Sequence, residues 1–313
     1  MESCTKDEAA LLGMNSARKS FVVKIVIGAL LLTLVLERVP MAGAMEALGR
    51  LTFFDLVAAA VLYFVAHVVN SIKLRLFLPR LSIRQSLRFT MIGVLYGTAL
   101  PGQLAGDAVK AFRLTRALSS AGGAGITIAA VAMDKLLGLF ALLVLTAIGL
   151  AIGGAVFGSD MVKIVGLGLA IFITLLAIAV AAPIPEAFEH WTAQFSTWRR
   201  LTLRPFILFQ ALSLGIVFQG FSIFVFAILG DAMGIQLTIA AWAVVVGLVS
   251  VVLLLPVTIA GVGLRDSSLV GLIALLGQSQ SAALAMSLVL LILNLLGAIV
   301  GFLVDFSDSD QDA

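Results

Sequence analysis

Six stretches of this chain, at 21–36, 56–72, 126–152, 162–182, 206–229 and 282–304, run for sixteen residues or more with few charges. A helix rises 1.5 Å per residue, so about 20 apolar residues cross the ~30 Å of hydrocarbon in a bilayer. One core in water has no room for them all. Of the 313 residues 61% are hydrophobic and 12% charged, where a soluble domain is about half apolar and a quarter charged. Mean hydropathy is +1.16. Soluble enzymes and secreted disulfide scaffolds are excluded, and the alternating ten-residue strands of an outer-membrane barrel are absent. The expectation is an all-α membrane protein with about six full transmembrane helices in one integral domain, 21–304. A cytoplasmic leader, 1–20, precedes it, and an acidic tail, 305–313, reads as disordered.

Cys4 has no partner for a disulfide, and His67 and His190 are too few and too far apart for a Cys/His zinc cluster. No metal or cofactor is expected. In the tail, Asp308, Asp310 and Asp312 imitate the start of a calcium loop, but its Gly and Glu do not follow. The net charge of +3 points to no nucleic-acid partner; the placement of the cations matters more, because Lys and Arg near span ends stay in the cytoplasm.

Lys6, Arg18 and Lys19 keep the leader inside. Ala42-Gly43-Ala44 resembles a signal-peptide cleavage site, but the long leader favours an uncleaved first helix. The run 56–72 returns to Lys73, Arg75, Arg80, Arg84 and Arg88, five cations without an acid. The apolar run 89–100 is then too short to cross and stops at Pro101-Gly102, which predicts a re-entrant hairpin at about 89–118, entered from the cytoplasm. The runs 126–152 and 162–182 go out and back to Arg199, Arg200 and Arg204. Before those arginines, Phe188, Trp191, Phe195, Trp198 and Leu201 recur at steps of three or four, predicting an interfacial amphipathic helix at about 184–203. The run 206–229 goes out, a second broken hairpin follows at about 239–277, and 282–304 returns. Both termini are then cytoplasmic, in a multi-pass protein of the inner membrane.

The two breaks share a pattern. PGQLAGDAVK at 101–110 and PVTIAGVGLR at 256–265 both read P-x-x-[LI]-A-G-x-x-x-[KR]. Three full spans separate them, so the hairpins would enter from opposite sides, as in an inverted-topology repeat. Pro101, Gly102, Gly106, Pro256, Gly261 and Gly263 are the expected helix-break positions. A backbone broken in lipid survives only where it is buried in protein or lines a wet cavity. Gly93-x-x-x-Gly97 and Gly297-x-x-x-Gly301 read as helix-contact sites.

Six ionisable groups, Asp107, Lys110, Asp134, Lys135, Arg265 and Asp266, lie at these bends or inside apolar runs. At roughly 2.5–3.5 kcal/mol each, facing lipid would cost on the order of 15–20 kcal/mol. They must face one another, water or a headgroup. Three acids and three bases can pair among themselves, and clustering around two breaks reads better as a polar passage. Asp134 and Lys135 point about 100° apart on one helix, so one of them is expected to face the cavity. Lys110 and Arg265 could hold a phosphate, Arg the better for its planar fork. His67, Asn70 and Asn294 read as interhelix hydrogen-bonding residues.

PGQLAGDAVKAFRL, AVAMDKLLGLFALLVL and LPVTIAGVGLRDSSLVGLIALLG, in that order, resemble the lysylphosphatidylglycerol synthase transmembrane-region family, which includes flippase-like and hopanoid-associated members. That family's pattern is a Pro-Gly loop ending in Gly-Asp/Glu and Arg, then Asp-Arg, then Pro, Gly-Gly-x-Gly and Arg-Glu. Lys110 and Lys135 stand here for Arg, Asp266 for Glu, and Ala105 and Ala260 for glycines. The resemblance implies movement of a lipid between leaflets: a phospholipid, an aminoacyl-phospholipid or an isoprenoid lipid. Aminoacyl transfer belongs to a separate soluble domain in two-domain relatives, so no enzyme activity is expected of this chain. The alternatives are an intramembrane lipid-modifying transferase using Asp107, Asp134 or Asp266, and a non-catalytic partner of a lipid-synthesis enzyme. Membrane lipids are the expected partners, and oligomeric state is left open.

Overall fold

The computed structural model describes residues 24, 26–37, 39–100, 103–118, 123–181, 204–255, 257–258 and 260–309. The leader, the amphipathic stretch at 184–203, residues 310–313, and Pro101, Gly102 and Pro256 lie outside them. Every regular element among the described residues is helical. In chain order these are α1 (Val26–Glu37), α2 (Met41–Arg50), α3 (Phe53–Phe77), α4 (Ile83–Ala99), α5 (Gln103–Ala117) and α6 (Gly123–Gly153). There follow α7 (Ser159–Ala181), α8 (Pro205–Ala232), α9 (Ile239–Val252), α10 (Leu264–Leu275) and α11 (Gln280–Ser309).

Four of them, α3, α6, α8 and α11, are long and apolar enough to cross a bilayer, and they coincide with the runs at 56–72, 126–152, 206–229 and 282–304. A fifth span results if α1 and α2, bent by 88° just before Pro40, are taken as one. Pro40 explains the bend, since its ring cannot continue the preceding helix. The run at 162–182 forms α7, a 23-residue helix that packs chiefly on α6.

Capping sets the starts of α3 and α4. Thr52 Oγ1 accepts from Asp55 N while Asp55 accepts from Thr52 N, and Ser82 and Gln85 repeat this box. The cationic stretch 73–88, which follows the apolar run 56–72, is therefore mostly helix and not an open loop. α3 runs to Phe77, a short link closes with Arg75 Nε donating to Leu81 O (2.9 Å), and α4 begins at Ile83. Lys73 and Arg75 thus belong to α3. With 17 residues α4 is longer than the apolar run 89–100, yet at about 25 Å it still falls short of the hydrocarbon thickness.

α4 and α5 lie antiparallel with glycine against glycine. A Cβ on Gly106 would collide with Gly93 O and Gly97 N, so Gly93 and Gly97 are a helix-contact site. Gly297 and Gly301 play the same part on α11, where added Cβ atoms would strike Tyr63 and Met91 O. Gly106 itself corrects an expectation. It sits inside α5 and marks no break. The second break runs from Leu253 to Gly263, where Ala260 (φ 54°), Gly261 (φ 73°) and Gly263 (φ 80°) adopt left-handed backbone. Val257, Thr258 and Ile259 with two glycines form helix poorly, whereas Gln103, Leu104 and Ala105 form it well. The shared pattern therefore folds in two ways.

The tail is corrected too. α11 continues to Ser309, and Asp305 accepts from Arg113 Nη2 (3.2 Å) and from Tyr96 OH (3.3 Å).

Two apolar clusters hold the two ends. One joins Leu74, Phe77, Leu81, Leu114, Met133 and Ala211, at the end of α3 and the starts of α4 and α8. The other surrounds Trp242 and includes Leu229, Leu284 and Ala44. At that second end Ser281 Oγ donates to Pro40 O (3.4 Å) and Gln236 N donates to Gln278 Oε1 (3.0 Å), linking α1–α2, α8–α9 and α10–α11 connections.

Candidate functional site

Against these clusters lies a cavity of about 390 Å³. Tyr63 and His67 flank the centre of α3, Gly138 is the centre of α6, Gln219 that of α8 and Asn294 that of α11, and all line it. The cavity is thus at mid-height of the four long helices. Polar side chains reach it from every one of them, and from α5 and α10.

A chain of ion pairs forms one wall. Lys73 Nζ lies 3.3 Å from Asp134 Oδ1 and donates to Asp134 O (2.9 Å). Lys110 Nζ bridges Asp134 Oδ2 (3.4 Å) and Asp107 Oδ1 (3.2 Å), and Lys135 Nζ lies 3.0 Å from Asp107 Oδ2. Lys73, Lys110 and Asp134 are at most 3% exposed. Removing such charges from water costs several kcal/mol per ion by order of magnitude, and only a partner at each step makes the arrangement tenable. Gly138 beside the chain leaves space that a Cβ would take from Lys73 Nζ, and Gln219 Nε2 donates to Gly138 O (3.2 Å).

Arg265 reaches the cavity from the first turn of α10. Its Nε donates to Ser287 Oγ (3.3 Å) and is 3.8 Å from Asp266 Oδ1. Nη2 has no hydrogen-bond partner among the described residues, although the side chain is buried. Asp266 is turned away: it accepts from Gly263 N (2.8 Å), capping α10, and from Ser287 Oγ.

Five of the six expected residues, Asp107, Lys110, Asp134, Lys135 and Arg265, therefore line one cavity; Asp266 stands behind it. Asp134 and Lys135 both face it, not one alone, because the neighbouring helices α3 and α5 offer partners in both directions. Lys73 was missed as a site residue. With Tyr63, His67 and Asn70 it forms a polar stripe at helical spacing on α3, a signal visible in the sequence. Counting Lys73 changes the charge balance. Lys73, Lys110, Lys135 and Arg265 oppose Asp107, Asp134 and Asp266, which leaves one positive charge. Of the expected interhelix residues, Asn294 accepts from Tyr63 OH (3.5 Å), while His67 Nδ1 has no partner among the described residues and its ring packs 4.6 Å from Tyr63.

Long apolar helices around a buried, charged cavity define a multi-pass membrane protein. The chain belongs to the family described as Lysylphosphatidylglycerol synthase TM region, which it matches over residues 21–301. Among curated proteins, none matches the chain.

Proposed function

We propose that this protein carries a lipid between membrane leaflets, its headgroup passing through the cavity while its tails stay in the bilayer. The carrying observation is the wall of ionised side chains from Lys73 to Lys135, buried among the long helices and bordering the cavity. A structural ion pair needs two residues, whereas this chain of five borders an open volume large enough for a headgroup. The family, a membrane region of a synthase that makes an aminoacylated phospholipid, agrees with a role at membrane lipids.

In this reading the apolar run 21–36, with α3, α6, α7, α8 and α11, makes six spans. α4–α5 and α9–α10 are hairpins of opposite sense related as an inverted repeat. The contacts at the two ends support it, since α4 begins beside the end of α3, and α10 ends beside the α8–α9 connection. Arg75, Arg80, Arg84 and Arg116 lie toward the first of these ends, which supports taking it as the cytoplasmic one. The chain itself catalyses no bond change, and an enzyme that makes the lipid is its natural partner.

The test is transfer of tail-labelled lipids in reconstituted vesicles, followed by quenching of the outer leaflet. Wild type is expected to expose inner-leaflet label. Lys110→Gln and the milder Asp107→Asn are expected to slow transfer at least about tenfold, the scale for losing a buried charge partner. Equal rates for wild type and both variants would remove this cavity from transport.

A further inference from the structure

The four cations of the cavity are not engaged alike. Lys73, Lys110 and Lys135 each have a carboxylate oxygen within 3.4 Å. Arg265 is only 5% exposed, and among the described residues its nearest carboxylate oxygen is 3.8 Å from Nε and its Nη2 donor has no hydrogen-bond partner. A buried donor left unfilled is costly, and more so on a charged group. What fills it must be an acceptor arriving in the cavity that Arg265 lines. A second observation is independent of the first: the chain from Lys73 to Lys135 joins three cations to two acids, and Arg265 is offset by Asp266 behind it, so the charged groups around the cavity have one positive charge left over.

One ligand satisfies both. We propose that the cavity is built for a lipid whose headgroup is a phosphodiester of net charge minus one, seated on Arg265, and that it selects such lipids over zwitterionic and cationic ones. The inference rests on the transport reading in taking the ligand to be a lipid. A phosphodiester keeps a single negative charge across neutral pH, while a phosphomonoester carries nearly two. Its two free oxygens fit the guanidinium fork. A zwitterionic headgroup leaves the surplus charge standing and brings an ammonium among four cations. A headgroup with an added amino acid's ammonium makes the surplus larger still.

Binding and transfer are measured separately, on the full chain. Titration calorimetry in detergent compares dihexanoyl phosphatidylglycerol, dihexanoyl phosphatidylcholine and tail-less glycerophosphoglycerol. The anionic lipid is expected to bind on the order of tenfold tighter than the zwitterion, as one net buried charge would give. Arg265→Gln is expected to erase that difference. Lys135→Gln leaves Arg265 in place but brings the wall to zero net charge, and its side chain is a third exposed (32%), so the fold tolerates it; it is expected to shrink the difference. Equal binding of the two lipids by wild type, or an undiminished difference in Lys135→Gln, would overturn the proposal. Tail-less headgroup binding as tightly as the lipid would overturn its lipid part. Transfer in vesicles of mixed phosphatidylglycerol and phosphatidylcholine separates the two readings. Charge-selective binding without transfer sinks transport and supports the seat, and equal transfer of both lipids sinks the selectivity.

Discussion

Lys73 shows what a single residue costs and contributes in this fold. It lies on an apolar helix with an exposure of 2%, and its ammonium is held by the side chain and carbonyl of one residue, Asp134. Replacing it with methionine keeps the volume but leaves Asp134 with Lys110 alone. Lys73→Met is expected to lower stability by about 3 kcal/mol, the lower end for breaking a buried pair, because one partner remains. Thermal unfolding in detergent checks this, and Lys73→Met with Asp134→Leu should recover part of the loss. A double variant no more stable than the single one would show that the pair does not carry Lys73. The sequence reading placed Lys73 among the cations that fix orientation, since it begins a basic stretch. Its burial follows from α3 outlasting the apolar run, which hydropathy alone does not reveal.

Among the elements, the α4–α5 hairpin depends on three glycines. A methyl on Gly106 has nowhere to go against Gly93 and Gly97, so Gly106→Ala should push the helices apart at a cost of about 1–3 kcal/mol and disturb the pairs of Asp107 and Lys110 one turn away. Gly168→Ala on α7 meets nothing within 4 Å and is expected to be neutral or slightly stabilising. Comparing the two melting temperatures tests the contact against a general effect of alanine. The helix-contact spacing of Gly93 and Gly97 was legible in the sequence, as were the four long helices, because small residues at i and i+4 and long apolar runs are local signals. Gly106 was not. It belongs to a decapeptide pattern that is helical in α5 and left-handed loop before α10, and which of the two forms is decided by neighbouring residues and by the packing of α4. Five of the six charged site residues were legible because buried charge in an apolar run has few destinations. That Asp266 caps a helix instead was hidden, since Arg265-Asp266 gives no hint of which side chain turns inward.

At the scale of the whole molecule, orientation and hairpin sense make one joint prediction. In a background with Cys4 replaced by serine, cysteines at Ser82 and Leu118 should be shielded from an impermeant maleimide in intact cells. Cysteines at Ser159 and Gln278 should react with it. Labelling of Ser82 and Gln278 from the same side would contradict hairpins of opposite sense. Beyond topology, the arrangement of apolar and charged layers has a mechanical consequence. Close-packed apolar clusters reach both ends of the helices, and between those ends a row of ion pairs borders an unfilled space. Most bundles fray from their tips. This one is stiff at its two faces and yielding between them, so amide hydrogens beside Lys110 and Asp134 should exchange sooner than those beside Trp242 or Phe77, and a bulky detergent tail should find its way in from the flank, not from the water.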